Sequence, residues 1–157
     1  MAKTKATDIL SLIEAEHRQV EQLFVKAEKA KGSKLYEYFS QIYKILSLHS
    51  RTEELIFYPA LEEYEETEQY VEEAEEEHEE ISFILEEIKV LRPNNPEFSE
   101  KMNELKEVAQ YHLEQEEGEI FTAVRECMDE QELTELGEEY QKAKAELKPE
   151  VEAALSF

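Results

Sequence analysis

The stretch Leu46–Tyr64, LSLHSRTEELIFYPALEEY, decides how the chain is read. Its apolar residues recur at helical spacing, so it predicts a helix that turns one face inward. Ile42, Leu46, Ile56 and Ala60 lie on that face, and His49 and Glu53 lie among them. Burying an imidazole and a carboxylate one turn apart costs free energy unless a partner compensates them.

The chain of 157 residues is 41% hydrophobic and has only three Gly and four Pro. That length supports a sizeable core, and the dominance of Glu, Leu, Lys and Ala favours long helices over a many-stranded sheet. Forty acidic residues against seventeen basic ones give a formal charge of −23. Such a surface repels phosphate backbones and anionic lipid, which excludes nucleic acid and membrane surfaces as partners. Cys127 is the sole cysteine, so no internal disulfide can form. The opening MAKTKATDIL lacks a long apolar core and no apolar run matches a bilayer, so the expected location is cytoplasmic.

Periodicity predicts five helices. The first spans about Thr7 to Lys31, with Thr7 and Asp8 as N-cap candidates and Gly32 as its stop. The second spans about Ser33 to Glu62, kinked or ended by Pro59. The third spans about Thr67 to Leu91. The fourth spans about Pro96 to Met128 behind an Asn95 N-cap. A fifth segment opens at Asp129, with Glu132 placed for a capping box. Short connections make neighbours antiparallel. The expected fold is all-α: an up-down-up-down four-helix bundle over about 8–128 with an additional C-terminal helix over about 130–148, in a single domain covering 1–157.

Each of the four histidines falls on the inward stripe of a different long helix. A stripe covers about a third of the circumference, so chance places all four inward about 1% of the time. Height is the sharper criterion. At about 1.5 Å of rise per residue, His17, His49, His78 and His112 match across each turn to within one or two helical turns. HSRTE and HLEQE add Glu53 and Glu116, each four residues after a histidine and on the same face. Four imidazoles and two carboxylates therefore meet in one layer. Arg18, Arg51 and Arg125 fall off the inward faces, leaving the carboxylates without a cation. Unpaired buried carboxylates cost several kcal/mol, and bound metal supplies the missing charge. Nitrogen and oxygen donors without thiolate suit iron or manganese more than structural zinc. Six donors exceed the needs of one tetrahedral ion. With both glutamates bridging, each of two ions receives two nitrogens and two oxygens and keeps positions for an external ligand.

These features (His17 in EHRQVEQLF, HSRTEELIFYPAL, His78 in EHEEI, and HLEQEEGEIF) resemble the hemerythrin family, in its HHE cation-binding branch, over about residues 8 to 128. The resemblance implies two Fe ions joined by carboxylates and an oxo or hydroxo bridge, with Mn or Zn as substitutes. His17 and His49 would serve one iron, His78 and His112 the other, and Glu53 and Glu116 would bridge. There are departures. The oxygen carriers have a second histidine on the third helix, four residues earlier, where this chain has Ala74. Their fourth-helix bridge is an aspartate five residues after its histidine, whereas here Glu116 stands at four and Glu117 at five; stripe position favours Glu116. Glu14 and Glu75, each three residues before a histidine, are candidates to fill the gap, though core-edge solvation is the blander role. Tyr38 and Tyr70 are candidates for outer hydrogen bonds, against plain core packing. Phe57 and Ile56 would keep the site dry, and Cys127 reads as a small core residue.

The expected function is a non-haem di-iron protein that binds or reacts with a small oxidant: O2, peroxide or nitric oxide. Whether it turns such a ligand over as an oxidoreductase is open from sequence. The alternatives are an iron- or oxygen-sensing module signalling through helix packing, an iron-supply or iron–sulfur-repair role, and a metal-free bundle. The redox partner and oligomeric state are likewise open.

Overall fold

The computed structural model describes residues 8–155, which hold helices and turns and no strand. Helix α1 (Ile9–Glu28) starts where the Asp8 carboxylate accepts the Ser11 N–H at 2.8 Å, satisfying a donor that a helix start leaves free. Thr7, the other N-cap candidate, lies outside the described residues. The helix stops short of the expected Lys31. Gly32, at φ 59°, turns the chain into α2 (Gly32–Thr52), a left-handed conformation that costs glycine little.

The second rod is not one regular helix. After Thr52 comes a π-helical turn, Glu53–Phe57, then α3 (Tyr58–Leu61) with Pro59 in its first turn. Proline removes an N–H and crowds the preceding turn; the wider turn ahead of it relieves both. A short α4 (Glu65–Glu68) follows, and α5 (Val71–Lys89) begins later than the expected Thr67. Thr67 is instead fully buried, and its hydroxyl donates to the Leu61 carbonyl at 2.5 Å, closing the end of α3. The fourth rod repeats the pattern of the second: α6 (Pro96–Gln115), a π-helical turn Glu116–Ile120, then α7 (Phe121–Cys127). The Asn95 side chain accepts the Glu97 N–H at 2.9 Å at its start. Helix α8 (Glu130–Leu155) begins with Asp129 accepting the Glu132 N–H at 2.9 Å. It runs through Pro149 instead of ending near 148, because Val151 and Leu155 beyond it are buried.

α1 packs on α2, α2 on α5, α5 on α6 and α6 on α1, closing the four rods into a bundle. α8 lies across α1 and α2 and touches the first π-helical turn. Two apolar clusters fill the interior. One includes Val20, Phe39, Leu46, Ile81, Leu85, Phe98 and Ala109; the other includes Ile13, Phe57, Ala74, Ile120, Phe121 and Val124. Each large buried side chain contributes about 1.5–3 kcal/mol. Every histidine sits in sequence between a residue of one cluster and a residue of the other: His17 between Ile13 and Val20, His78 between Ala74 and Ile81. The polar layer is therefore sealed by a hydrophobic plug at each end. Among the described residues, no helix is long and apolar enough to cross a membrane.

Candidate metal centre

The structure brings His17, His49, Glu53, His78, His112 and Glu116 into one buried layer, none more than 3% exposed. Their donor atoms form two groups: His17, His49, Glu53 and Glu116 in the first, and Glu53, His78 and His112 in the second. Glu53 belongs to both. Its Oε1 lies 3.2 Å from His49 Nε2 and 3.1 Å from His78 Nε2. Glu116 Oε1 lies 3.0 Å from His17 Nε2 and 3.9 Å from His49 Nε2. In the second group the Nε2 atoms of His78 and His112 face each other at 3.1 Å.

In the first group the ring-to-carboxylate approaches are not hydrogen bonds. Among the described residues, His17 Nε2, His49 Nε2, Glu53 Oε2 and Glu116 Oε1 are buried without a hydrogen-bond partner. A folded interior pairs nearly all its buried polar atoms. Four orphans aimed into one space, two nitrogens and two carboxylate oxygens, are the donor set of a cation site.

The other nitrogen of each ring fixes its orientation. Nδ1 of His17 meets Glu117 at 2.6 Å, His49 meets Glu16 at 2.6 Å, His78 meets Glu54 at 2.9 Å and His112 meets Glu77 at 2.5 Å. A carboxylate behind each ring holds the proton on Nδ1 and leaves the Nε2 lone pair inward, the arrangement that raises an imidazole's strength as a metal ligand. Glu117 thus turns outward to orient His17, while Glu116 points inward.

Both π-helical turns begin at a layer glutamate, Glu53 and Glu116. In a regular helix, residue i+5 lies about 140° around the axis. Here the Tyr58 N–H bonds the Glu53 carbonyl, five residues back. The extra residue brings Tyr58 onto the face of Glu53. Its hydroxyl stands 3.0 Å from His78 Nε2, 3.4 Å from Glu53 Oε1 and 3.5 Å from Glu116 Oε2. Tyr58 and Ala74 belong to the same apolar cluster.

Burial and neighbours act on the titrating groups in opposite senses. Burial alone would lower the His78 pKa, but Glu53 and Glu54 outweigh it and bring it to about 9. The same balance, won by Glu53 and Glu16, holds His49 well above its usual value. Burial would raise Glu53, yet His49 and His78 hold it well below the carboxylate range. Glu116 is pushed up by burial and by the charge of Glu53. Two carboxylates facing each other in a dry core are what a bound cation relieves.

The remaining candidates fall on both sides of the expectation. Glu14 and Glu75 are exposed and do not join the layer. The glutamate that α1 contributes to the outer ring is Glu16, 5% exposed. It follows Ile9 and Ile13 and precedes Val20 at helical spacing, so periodicity could have found it. Tyr38 stacks under Lys34 at 5.1 Å and Tyr70 packs at the apolar end. The tyrosines that reach the centre are Tyr58 and Tyr140, whose hydroxyl donates to Glu16 at 2.6 Å. Phe57 is fully buried and Ile56 half-buried; Cys127 packs, half-buried, against the apolar end. Arg18 and Arg51 stay outside the layer, pairing with Glu117 and Glu150. One cation that the four-helix reading did not consider arrives from α8: Lys144 contacts Glu16 at 2.7 Å.

A histidine- and glutamate-lined cation site sealed within four antiparallel helices defines a metal-binding helical bundle. The signature of the hemerythrin HHE cation-binding domain matches residues 8–124, and the chain belongs to that family. It is 30% identical over 141 residues to a DNA nickase of Nostoc sp. (strain PCC 7120), a match covering 89% of this chain and 40% of that protein. The crystal structure of a hemerythrin HHE cation-binding domain-containing protein from Mycobacterium kansasii superposes with a TM-score of 0.78 at 23% identity, covering 94% of this chain and 96% of that one. That likeness speaks to the fold.

Proposed function

We propose that the protein is a non-haem di-iron protein that binds or reacts with a small oxidant such as O2, peroxide or nitric oxide. The observation that carries this is the set of four buried, unpartnered donor atoms on His17, His49, Glu53 and Glu116, beside a second donor group that shares Glu53. One metal would be held by His17, His49, Glu53 and Glu116, the other by His78, His112, Glu53 and the Tyr58 oxygen. Mixed nitrogen and oxygen donors without sulfur favour iron, with manganese or zinc as substitutes. A bound iron pair supplies electrons to the oxidant.

The chain's own residues do the rest. The outer glutamates aim the four rings. Phe57 and Phe121, fully or nearly fully buried and edge-to-face at 6.4 Å, keep water from one end. A cleft of about 220 Å³ between α2 and α5, lined by Ser47, Ser50, Glu54, His78 and Ser82, borders His78 and its partner Glu54.

The nicking activity named for the Nostoc protein does not carry over. This chain corresponds to 40% of that protein, and its charge of −23 opposes contact with a phosphate backbone. A sensing or iron-supply role is the second reading, favoured by the contact of α8 with the outer ring at Glu16. The test is ferrous loading without oxygen, then metal analysis and exposure to air. Retention of about two irons per chain, with the near-ultraviolet absorption of a coupled diferric pair, is the expected result. A chain that retains no iron sinks the reading. Turnover of peroxide favours the oxidant-handling role over the sensor.

A further inference from the structure

The four outer glutamates are not equivalent. Behind the first group, Glu16 and Glu117 each meet a cation: Lys144 at 2.7 Å and Arg18 at 2.6 Å. Behind the second, Glu54 and Glu77 pair with no lysine or arginine among the described residues. Arg18 is 49% exposed and Lys144 39%, so solvent screens both cations, but Glu117 is 21% exposed as well. Glu16 is different. Its side chain is only 6% exposed, and one carboxylate collects three donors: His49 Nδ1 and the Tyr140 hydroxyl on Oε1, both at 2.6 Å, and Lys144 Nζ on Oε2. Two of the three come from α8, which lies outside the four-helix bundle.

An outer carboxylate strengthens a histidine ligand by drawing on its Nδ1 proton. A carboxylate whose charge is already shared with an ammonium and a phenol draws less. His49 therefore donates less electron density through Nε2 than His112, whose Glu77 is 14% exposed and has no lysine or arginine beside it among the described residues. Weaker donation favours the ferrous over the ferric ion. The low local dielectric enlarges the difference. We propose that Tyr140 and Lys144 of α8 act through Glu16 as positioning residues for His49, holding the iron of the His17/His49 half at a higher reduction potential than its neighbour. The inference rests on the di-iron reading. In it, α8 is a tuning element of the centre, and the two irons lose their electrons in order, the His78/His112 half first.

The test uses the full chain loaded anaerobically with ferrous iron and titrated potentiometrically, each one-electron oxidation passing its electron to a mediator. Wild type should show two separated one-electron steps. Lys144→Met and Tyr140→Phe should lower the higher potential and draw the two steps together, while Lys142→Met, exposed on the same helix, should move neither. Glu16→Gln should raise the higher potential, weaken iron retention about 10- to 100-fold, and remove the response to Lys144→Met in the double variant. Full iron with unmoved potentials in both Lys144→Met and Tyr140→Phe overturns the proposal. So does an equal Lys144→Met shift with and without Glu16, which would mark a simple field effect. Should Glu16→Gln fail to fold, Tyr140→Phe decides alone, because it removes a donor without changing charge. Failure of the di-iron reading shows separately, as wild-type protein that retains no iron.

Discussion

The His17/His49 half and the His78/His112 half are built from the same parts. Each has two rings with Nε2 inward and two glutamates on Nδ1, and both use Glu53. They differ in what stands behind those parts. The first half has a fourth donor in Glu116 and is buttressed by α8 through Glu16. The second has the Tyr58 hydroxyl 3.0 Å from His78 Nε2, an outer glutamate that is 45% exposed in Glu54, and a cleft bordering His78. Repeated ligands in a sequence therefore do not make equivalent sites. Support from outside the bundle makes one half more closed and leaves the other more open.

The largest expected effect falls on the residue that both halves share. Glu53→Ala should abolish retention of both irons, whereas His17→Ala and His112→Ala should each spare part of the other half. Metal analysis of the three variants decides. Loss of only one iron from Glu53→Ala would break the shared-ligand picture and leave two independent sites.

Next comes Tyr58→Phe. If the phenol oxygen is a ligand of the second half, this variant should keep the first iron, weaken the second and remove any visible phenolate-to-iron absorption. Its stability should fall by only about 1 kcal/mol, the net worth of a buried hydroxyl's hydrogen bond. An unchanged spectrum and iron content would return Tyr58 to a packing role.

A smaller effect separates the outer glutamates. Glu16→Gln should cost about 10- to 100-fold in iron affinity, and Glu54→Gln clearly less, because solvent can replace an exposed carboxylate. Competition with a chelator measures both. Equal losses would erase the distinction between the closed and the open half.

The mildest test is pH on the metal-free chain. His78 is raised from its usual 6.5 to about 9, and His49 is raised as well. A raised histidine adds stability that is full below its unfolded pKa and is lost as pH climbs through the folded value. The metal-free Tm should therefore decline between about pH 6.5 and 9. The loaded chain should hold its Tm there, since metal binding needs the rings unprotonated. A flat metal-free profile would mean the buried rings stay neutral, with no second proton on Nε2.

Much of this was legible in the residue order. Counting from the turns put His17, His49, His78 and His112 at one height, and an i+4 spacing put Glu53 and Glu116 beside them. Glu16 was legible too, on the stripe of Ile13 and Val20, but its neighbour His17 drew the stripe's centre. Tyr58 was not. Regular helical phase points it away from Glu53, and only the π-helical turn brings it back. Pro59 marks the irregularity without giving its size or direction. Tyr140 sat on a readable apolar stripe, yet nothing in that stripe names the rods it packs against.

The sequence by itself determined the helices, their antiparallel order and the inward layer of nitrogen and oxygen donors, because periodicity and rise per residue are local properties of a helix. The tertiary structure alone decided which hydroxyl enters the centre and which helix buttresses it. Those depend on one extra residue in a turn and on where α8 lies, and both are set by packing between segments far apart in the chain.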